Sequence, residues 1–116
     1  MELTVTPLEN GITAIQLIGR MDMKNTLLID SQLTALVARE NARVVIEMSG
    51  VDFVASVGMR LLISCAKTNA PQGGHLALWG LQPMVAESFG IAGIDVLIAI
   101  HETLQDALVG MPSLDG

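Results

Sequence analysis

Ser56 is the residue of this chain whose setting most invites chemistry. It follows Val51-Asp52-Phe53-Val54-Ala55 and precedes Val57 and Gly58, where a buried-looking strand gives way to a helix. Three roles suit a serine there. As an N-cap, its oxygen would accept a hydrogen bond from a free first-turn amide, and residue mechanics alone favour this reading. As a phosphorylation site, it would place about −1.5 to −2 charge on its surface. That reading draws on the surroundings, because Val54, Ala55 and Val57 make the turn apolar where turns are usually polar. On a helical wheel Val57 and Leu61 fall with Arg60, Ser64, Lys67 and Thr68, opposite a core stripe of Met59, Leu62, Ile63, Ala66 and Ala70. Phosphate beside outward apolar residues would penalise a docked partner without refolding the domain. As a nucleophile, Ser56-Val57-Gly58 is half of a G-x-S-x-G elbow. Val54 stands where the first glycine belongs, the only bases are His75 and His101, and 116 residues leave no room for a triad and its pocket. No catalytic residue is expected, and the chain does not read as an enzyme.

The other reactive residues are bland. His75 opens a strand and His101 follows one, with no H-x-x-x-H, C-x-x-C or carboxylate cluster to hold a metal. Cys65 borders the core stripe and reads as a small buried hydrophobe. Gly73-Gly74 and Gly90-Ile91-Ala92-Gly93 are turn and cap glycines, matching neither a dinucleotide fingerprint nor a P-loop. No metal or cofactor is expected. Met21 and Met23 flank Asp22 in a loop and are candidates for exposure.

Composition narrows the partners. Half the chain is apolar, aromatic mass is confined to Phe53, Trp79 and Phe89, and the net charge is −6 with six Lys and Arg. Phosphate backbones and anionic membranes would repel such a surface, so nucleic acid is excluded as a partner and so is direct membrane insertion. A lone cysteine fits a reducing compartment, and Met1 to Pro7 has neither the basic start nor the apolar stretch of a signal peptide. A small acidic cytoplasmic domain is expected.

The elements that would position Ser56 follow from periodicity. Leu3–Thr6 and Ile12–Ile18 read as an antiparallel hairpin turned by Asn10-Gly11, with Gly19 ending the second strand. Asn25 and Thr26 can cap a helix carrying Ile29, Leu33, Leu36 and Val37 and reaching Arg39 or Glu40. Val44–Met48 is a β-branched central strand, left through Ser49–Val54. A helix over 56–69 follows, then a turn, a strand over 75–79, and a helix opened by Pro83 and closed by Gly90. Asp95–Ala99 reads as the last strand, Thr103–Val109 as a final helix, and 111–116 as a flexible tail behind a domain spanning 1–110. Alternation after the hairpin implies a single α/β domain, a mainly parallel sheet of about five strands with about four helices.

Four segments, in this order, resemble the STAS family, typified by bacterial anti-sigma factor antagonists. Leu17-Ile18-Gly19-Arg20-Met21-Asp22 is similar to its L-x-G-x-L-D stretch. Val51 to Arg60 resembles its switch segment, written D-S-[ST]-G-L or [IV]-S-S-A-G-L-R. Gly73 to Pro83 resembles G-G-x-L-x-L-x-G-[LV]-S-P, and Phe89 to Ile94 resembles F-x-x-[ST]-G-[LF]. The resemblance implies the STAS fold and a non-enzymatic switch. The unphosphorylated protein would bind an anti-sigma factor with serine/threonine kinase activity, releasing a sigma factor, and phosphorylation at Ser56 would end that binding. A phosphatase would reset it. The partner-binding set is expected to be Asp22, Val54, Ala55, Val57, Gly58, Arg60 and Leu61. Ala55 stands where the best-known members carry Asp, Val57 replaces a small or hydroxyl residue, and Gln82 replaces Ser before Pro83. The same family also supplies scaffolds and cytoplasmic subunits of lipid-transport ABC complexes, which is the alternative. The exposed first strand leaves a monomer or a weak homodimer open.

Overall fold

The chain opens with a hairpin because two residues accept positive φ. β1 (Glu2–Pro7) and β2 (Ile12–Met21) pair antiparallel, from Glu2 opposite Ile18 to Pro7 opposite Thr13. Between them Asn10 (φ 64°) and Gly11 (φ 73°) carry the reversal. The computed structural model describes residues 1–113. After the hairpin come α1 (Met23–Val37), β3 (Arg43–Val54), α2 (Ser56–Asn69) and β4 (His75–Trp79), then α3 (Pro83–Ala92), α4 (Ile94–Leu97), β5 (Ala99–His101) and α5 (Leu104–Val109). The five strands lie in sequence order, and β2 to β5 are parallel. This is the mixed single-domain α/β architecture expected, with the single turn of α4 as an additional helix.

Two cores follow from the strand alternation. Val44, Ile46 and Met48 of β3 face α1 to α4, packing with Leu33, Leu62, Phe89 and Ile94. Val45 faces the other way and meets Ile12, Ala77 and Ala107 of α5. The C-terminal end of α2 is tied in by Asn69, whose buried Nδ2 donates to Val37 O (3.0 Å) and Ala42 O (2.9 Å).

Several boundaries differ from the sequence reading. β2 does not end at Gly19: that residue stays in the strand at φ 130°, a conformation open to glycine, and pairing continues to Met21. β3 likewise runs on from Met48 to Val54, carrying an extra residue against β2 at each of two register shifts. Those bulges break the period-2 pattern, so Ser49-Gly50-Val51-Asp52-Phe53-Val54 looked like a connection. α1 starts one turn earlier than Asn25 and Thr26 suggested and ends at Val37. Finally, α3 passes Gly90 and stops at Gly93, which takes the left-handed φ of 75°; Ile94 to Leu97 then form a helical turn instead of a strand. A short apolar run does not distinguish strand from helix, and here burial of Ile94 against the first core selects the turn. β5 is therefore Ala99–His101, not Asp95–Ala99.

Of the tail expected over 111–116, residues 114–116 lie outside the described residues. Met111 packs on the second core and Pro112 O accepts a 3.0 Å hydrogen bond from Arg43 Nη1.

Candidate functional site

The C-terminal ends of β2 and β3 lie side by side and launch α1 and α2. Beyond the strand pairing, a hydrogen bond joins the two launch points, Ala55 N to Met21 O at 2.9 Å. α1 begins where Asp22 ends the β2 path, its Oδ1 accepting from Asn25 N at 2.9 Å; Asn25 Nδ2 in turn donates to Arg20 O. Asp22, expected among partner-binding residues, is half-buried and its carboxylate serves as this cap.

α2 starts differently. Its N-cap is Ala55, which has no side chain to accept a hydrogen bond, and Met59 N donates to Ala55 O at 3.1 Å. Ser56 is thus the first residue inside the helix and not its cap. It is exposed, and among the described residues its hydroxyl has no hydrogen-bond partner. The cap role considered for Ser56 is therefore absent.

Gly58 explains how α2 can sit on the strand ends. A Cβ there would meet Val54 Cγ1 at 2.9 Å and Met21 Cβ at 3.2 Å. Gly58 and Val54 are buried and shape the site from below, Ala55 and Val57 are half-buried, and Arg60 is exposed. Leu61 is a correction: expected on the outward face, it is 6% exposed and belongs to the core. α2 packs against α1 at its side as well as the sheet beneath, so its buried arc is wider than one stripe. The fully buried positions are Gly58, Leu61, Leu62, Cys65 and Asn69, with Met59, Ile63 and Ala66 at the flank.

The sequence reading missed exposed apolar residues on the elements near Ser56. On α1, Met23 (65% exposed) and Leu27 (63% exposed) stand one turn apart, with Leu28 also exposed. Met23 had been a candidate for exposure, whereas Met21, paired with it in that reading, is fully buried. Phe53, at the end of β3, and Met84 of α3 border a shallow groove of about 180 Å³, completed by Asp52, Val54, Val85 and Ser88. The Arg20 guanidinium lies 4.0 Å above the Phe53 ring. Arg20 near the end of β2, Lys24 in the first turn of α1 and Arg60 near the start of α2 are the cations carried close to these strand ends and helix starts. One signal in the sequence pointed here: α1 holds more apolar residues than its stripe of Ile29, Leu33 and Val37 can bury.

The catalytic alternative has no geometry. His101 pairs across the sheet with Trp79 and thereby with Glu47, while β3 runs on from Glu47 to Val54 before Ser56 is reached. His75 is at the opposite end of β4, its pKa lowered by burial and then by the charge of His101. Cys65 is buried, which pushes its thiol up to about 11, the Asp30 charge adding to the rise and a hydrogen bond with Thr34 opposing it. Among the described residues no group of three or more His, Cys, Asp or Glu could hold a metal ion, and no helix is long and apolar enough to cross a membrane.

Comparison with known proteins agrees with this architecture. The STAS domain family matches residues 4–107. The chain is 31% identical over 107 residues to the candidate anti-sigma factor antagonist BtrV of Bordetella bronchiseptica, covering 92% of this chain and 91% of that one. It is 24% identical over 110 residues to the anti-sigma-F factor antagonist RsfB of Mycobacterium tuberculosis, covering 94% and 89%. A solved anti-sigma-factor antagonist STAS domain from Planctomyces limnophilus superimposes with a TM-score of 0.81 at 25% identity, covering 92% of this chain and 95% of that one. The chain belongs to the STAS domain family, and within it to the anti-sigma factor antagonist type.

Proposed function

We propose that this protein is a cytoplasmic switch that docks the surface around Ser56 onto an anti-sigma factor with serine kinase activity, so releasing a sigma factor. The kinase partner then transfers the γ-phosphoryl group of a nucleoside triphosphate to Ser56 Oγ; the hydroxyl proton is lost, the nucleoside diphosphate leaves, and docking ends. A phosphatase restores the hydroxyl by hydrolysis. The observation that carries this reading is the exposed, unengaged hydroxyl of Ser56 at the head of α2, with exposed apolar side chains on the two elements that meet it there, Met23 and Leu27 of α1 and Phe53 of β3. Such side chains offer area to a partner, and a dianion at Ser56 within a docked surface would have to be desolvated. In this reading Val57 and Arg60 touch the partner, Asp22, Ala55 and Gly58 hold the surface in shape, and Val54 and Leu61 support it from the core. The chain works as a monomer, or as a weak homodimer through the edge strand β1.

The test uses three baits, wild type, Ser56→Ala and Ser56→Glu, in a pull-down with mass spectrometry, together with labelling by the captured kinase and ATP. Capture of a kinase-fold anti-sigma factor by the first two and not the third, with label on wild type alone, is the expected outcome. A partner held equally by all three, with no label, sinks it. One feature favours a second reading: Ala55 leaves no carboxylate beside Ser56, as befits a scaffold or transporter subunit with no phosphorylation step. Co-purification with a transporter ATPase, insensitive to Ser56→Glu, is its signature.

A further inference from the structure

Ser56 and Arg60 are one turn apart on α2, at the i and i+4 spacing that sets two side chains over the same helical face. Both are exposed, and among the described residues Arg60 has neither a hydrogen bond nor an ion pair. The first turn of α2 contains no acidic residue, and its cap supplies no side-chain acceptor. The other charges near this helix start are these, of which Lys24 is exposed and without a hydrogen bond or ion pair among the described residues. Asp22 caps α1, Arg20 covers Phe53, Lys24 is in the first turn of α1, and Asp52 lines the groove beside Phe53.

Resting on the reading of Ser56 as the phosphoacceptor, we propose that Arg60 is the residue that holds the phosphate. Phosphoserine at 56 pairs with the Arg60 guanidinium across one helical turn and withdraws that cation from the partner-facing surface. A single modification then has two effects on docking, adding a dianion and removing the free cation beside it. Neither requires α2 to unfold, because the pair forms within an existing helix and its dianion sits at the positive end of the helix dipole. Arginine suits the task because its planar fork can give a phosphate two parallel hydrogen bonds.

The experiment is a ³¹P NMR titration of full-length protein carrying phosphoserine at 56, installed during translation. Wild type is compared with Arg60→Gln, Arg60→Lys, Arg20→Gln and Lys24→Gln. The expected result is a second phosphate ionisation about half a pH unit lower in wild type than in Arg60→Gln, with Arg60→Lys in between. Superimposable wild-type and Arg60→Gln titrations overturn the proposal, as does a larger shift in Arg20→Gln or Lys24→Gln. Since no kinase is involved, a failure of labelling in the pull-down experiment would count against the switch itself and leave this titration readable.

Discussion

Ser56 occupies the first position of α2, and that register decides what its hydroxyl can do. An N-cap oxygen is turned back onto the helix amides, whereas Ser56 leaves the capping place to Ala55 and stays exposed. Cys65, farther along the same helix, shows the opposite fate. Its thiol is raised from 9.0 to about 11, chiefly by burial, so the unfolded chain ionises first as pH rises. The sign follows directly: its contribution to stability is fully present below pH 9 and is lost between pH 9 and about 11. Urea midpoints measured from pH 7 to 11 should fall across that window, and Cys65→Ala should flatten the fall. Native protein at pH 8 should also resist alkylation until denaturant is added.

At the scale of elements, α2 is held where it is by a close approach and a polar tie. Gly58 lets the helix start rest on Met21 and Val54, and Asn69 fastens its end to the α1–β3 connection. Gly58→Ala would ordinarily strengthen a helix by roughly 1 kcal/mol. Here the added methyl group must displace Val54 Cγ1 from 2.9 Å and Met21 O from 3.3 Å, both within a packed core. The net expectation is destabilisation of about 1–3 kcal/mol, read from urea unfolding, and a shift of the amide resonances of Met21, Ala55 and Ser56. A variant more stable than wild type would show that the strand ends yield easily.

For the whole molecule, the sheet has unequal covers. α1 to α4 bury one face, while among the described helices α5 packs on the other, through Ala107, 1% exposed against Val45 and Ala77. The short α5 starts from a capped turn, with Thr103 Oγ1 accepting from Asp106 N at 3.1 Å. Ala107→Asp places an unpaired carboxylate in that second core and should cost about 2–4 kcal/mol. The surface proposed to switch belongs to the first layer, so partner capture by this variant should persist at temperatures where it remains folded. Calorimetry and the pull-down together check both halves of the statement.

Residue types and spacing by themselves determined the order of the strands and of the helices other than α4, the hairpin, the parallel sheet and helix 56–69. These are local matters: positive-φ turns, alternation and helical periodicity are written within a few residues of where they act. The tertiary structure alone decided the long pairing of β2 with β3, because bulges erase the alternation and only the partner strand reveals it. It decided that Asp95 to Leu97 join a helical turn, since a short apolar run suits either state until something packs on it. And it decided the surface around Ser56. Burial on a helix depends on how many neighbours flank it, so Leu61 went inward once α1 lay beside α2, while Met23, Leu27 and Met84 stayed exposed because none of the described elements covers them.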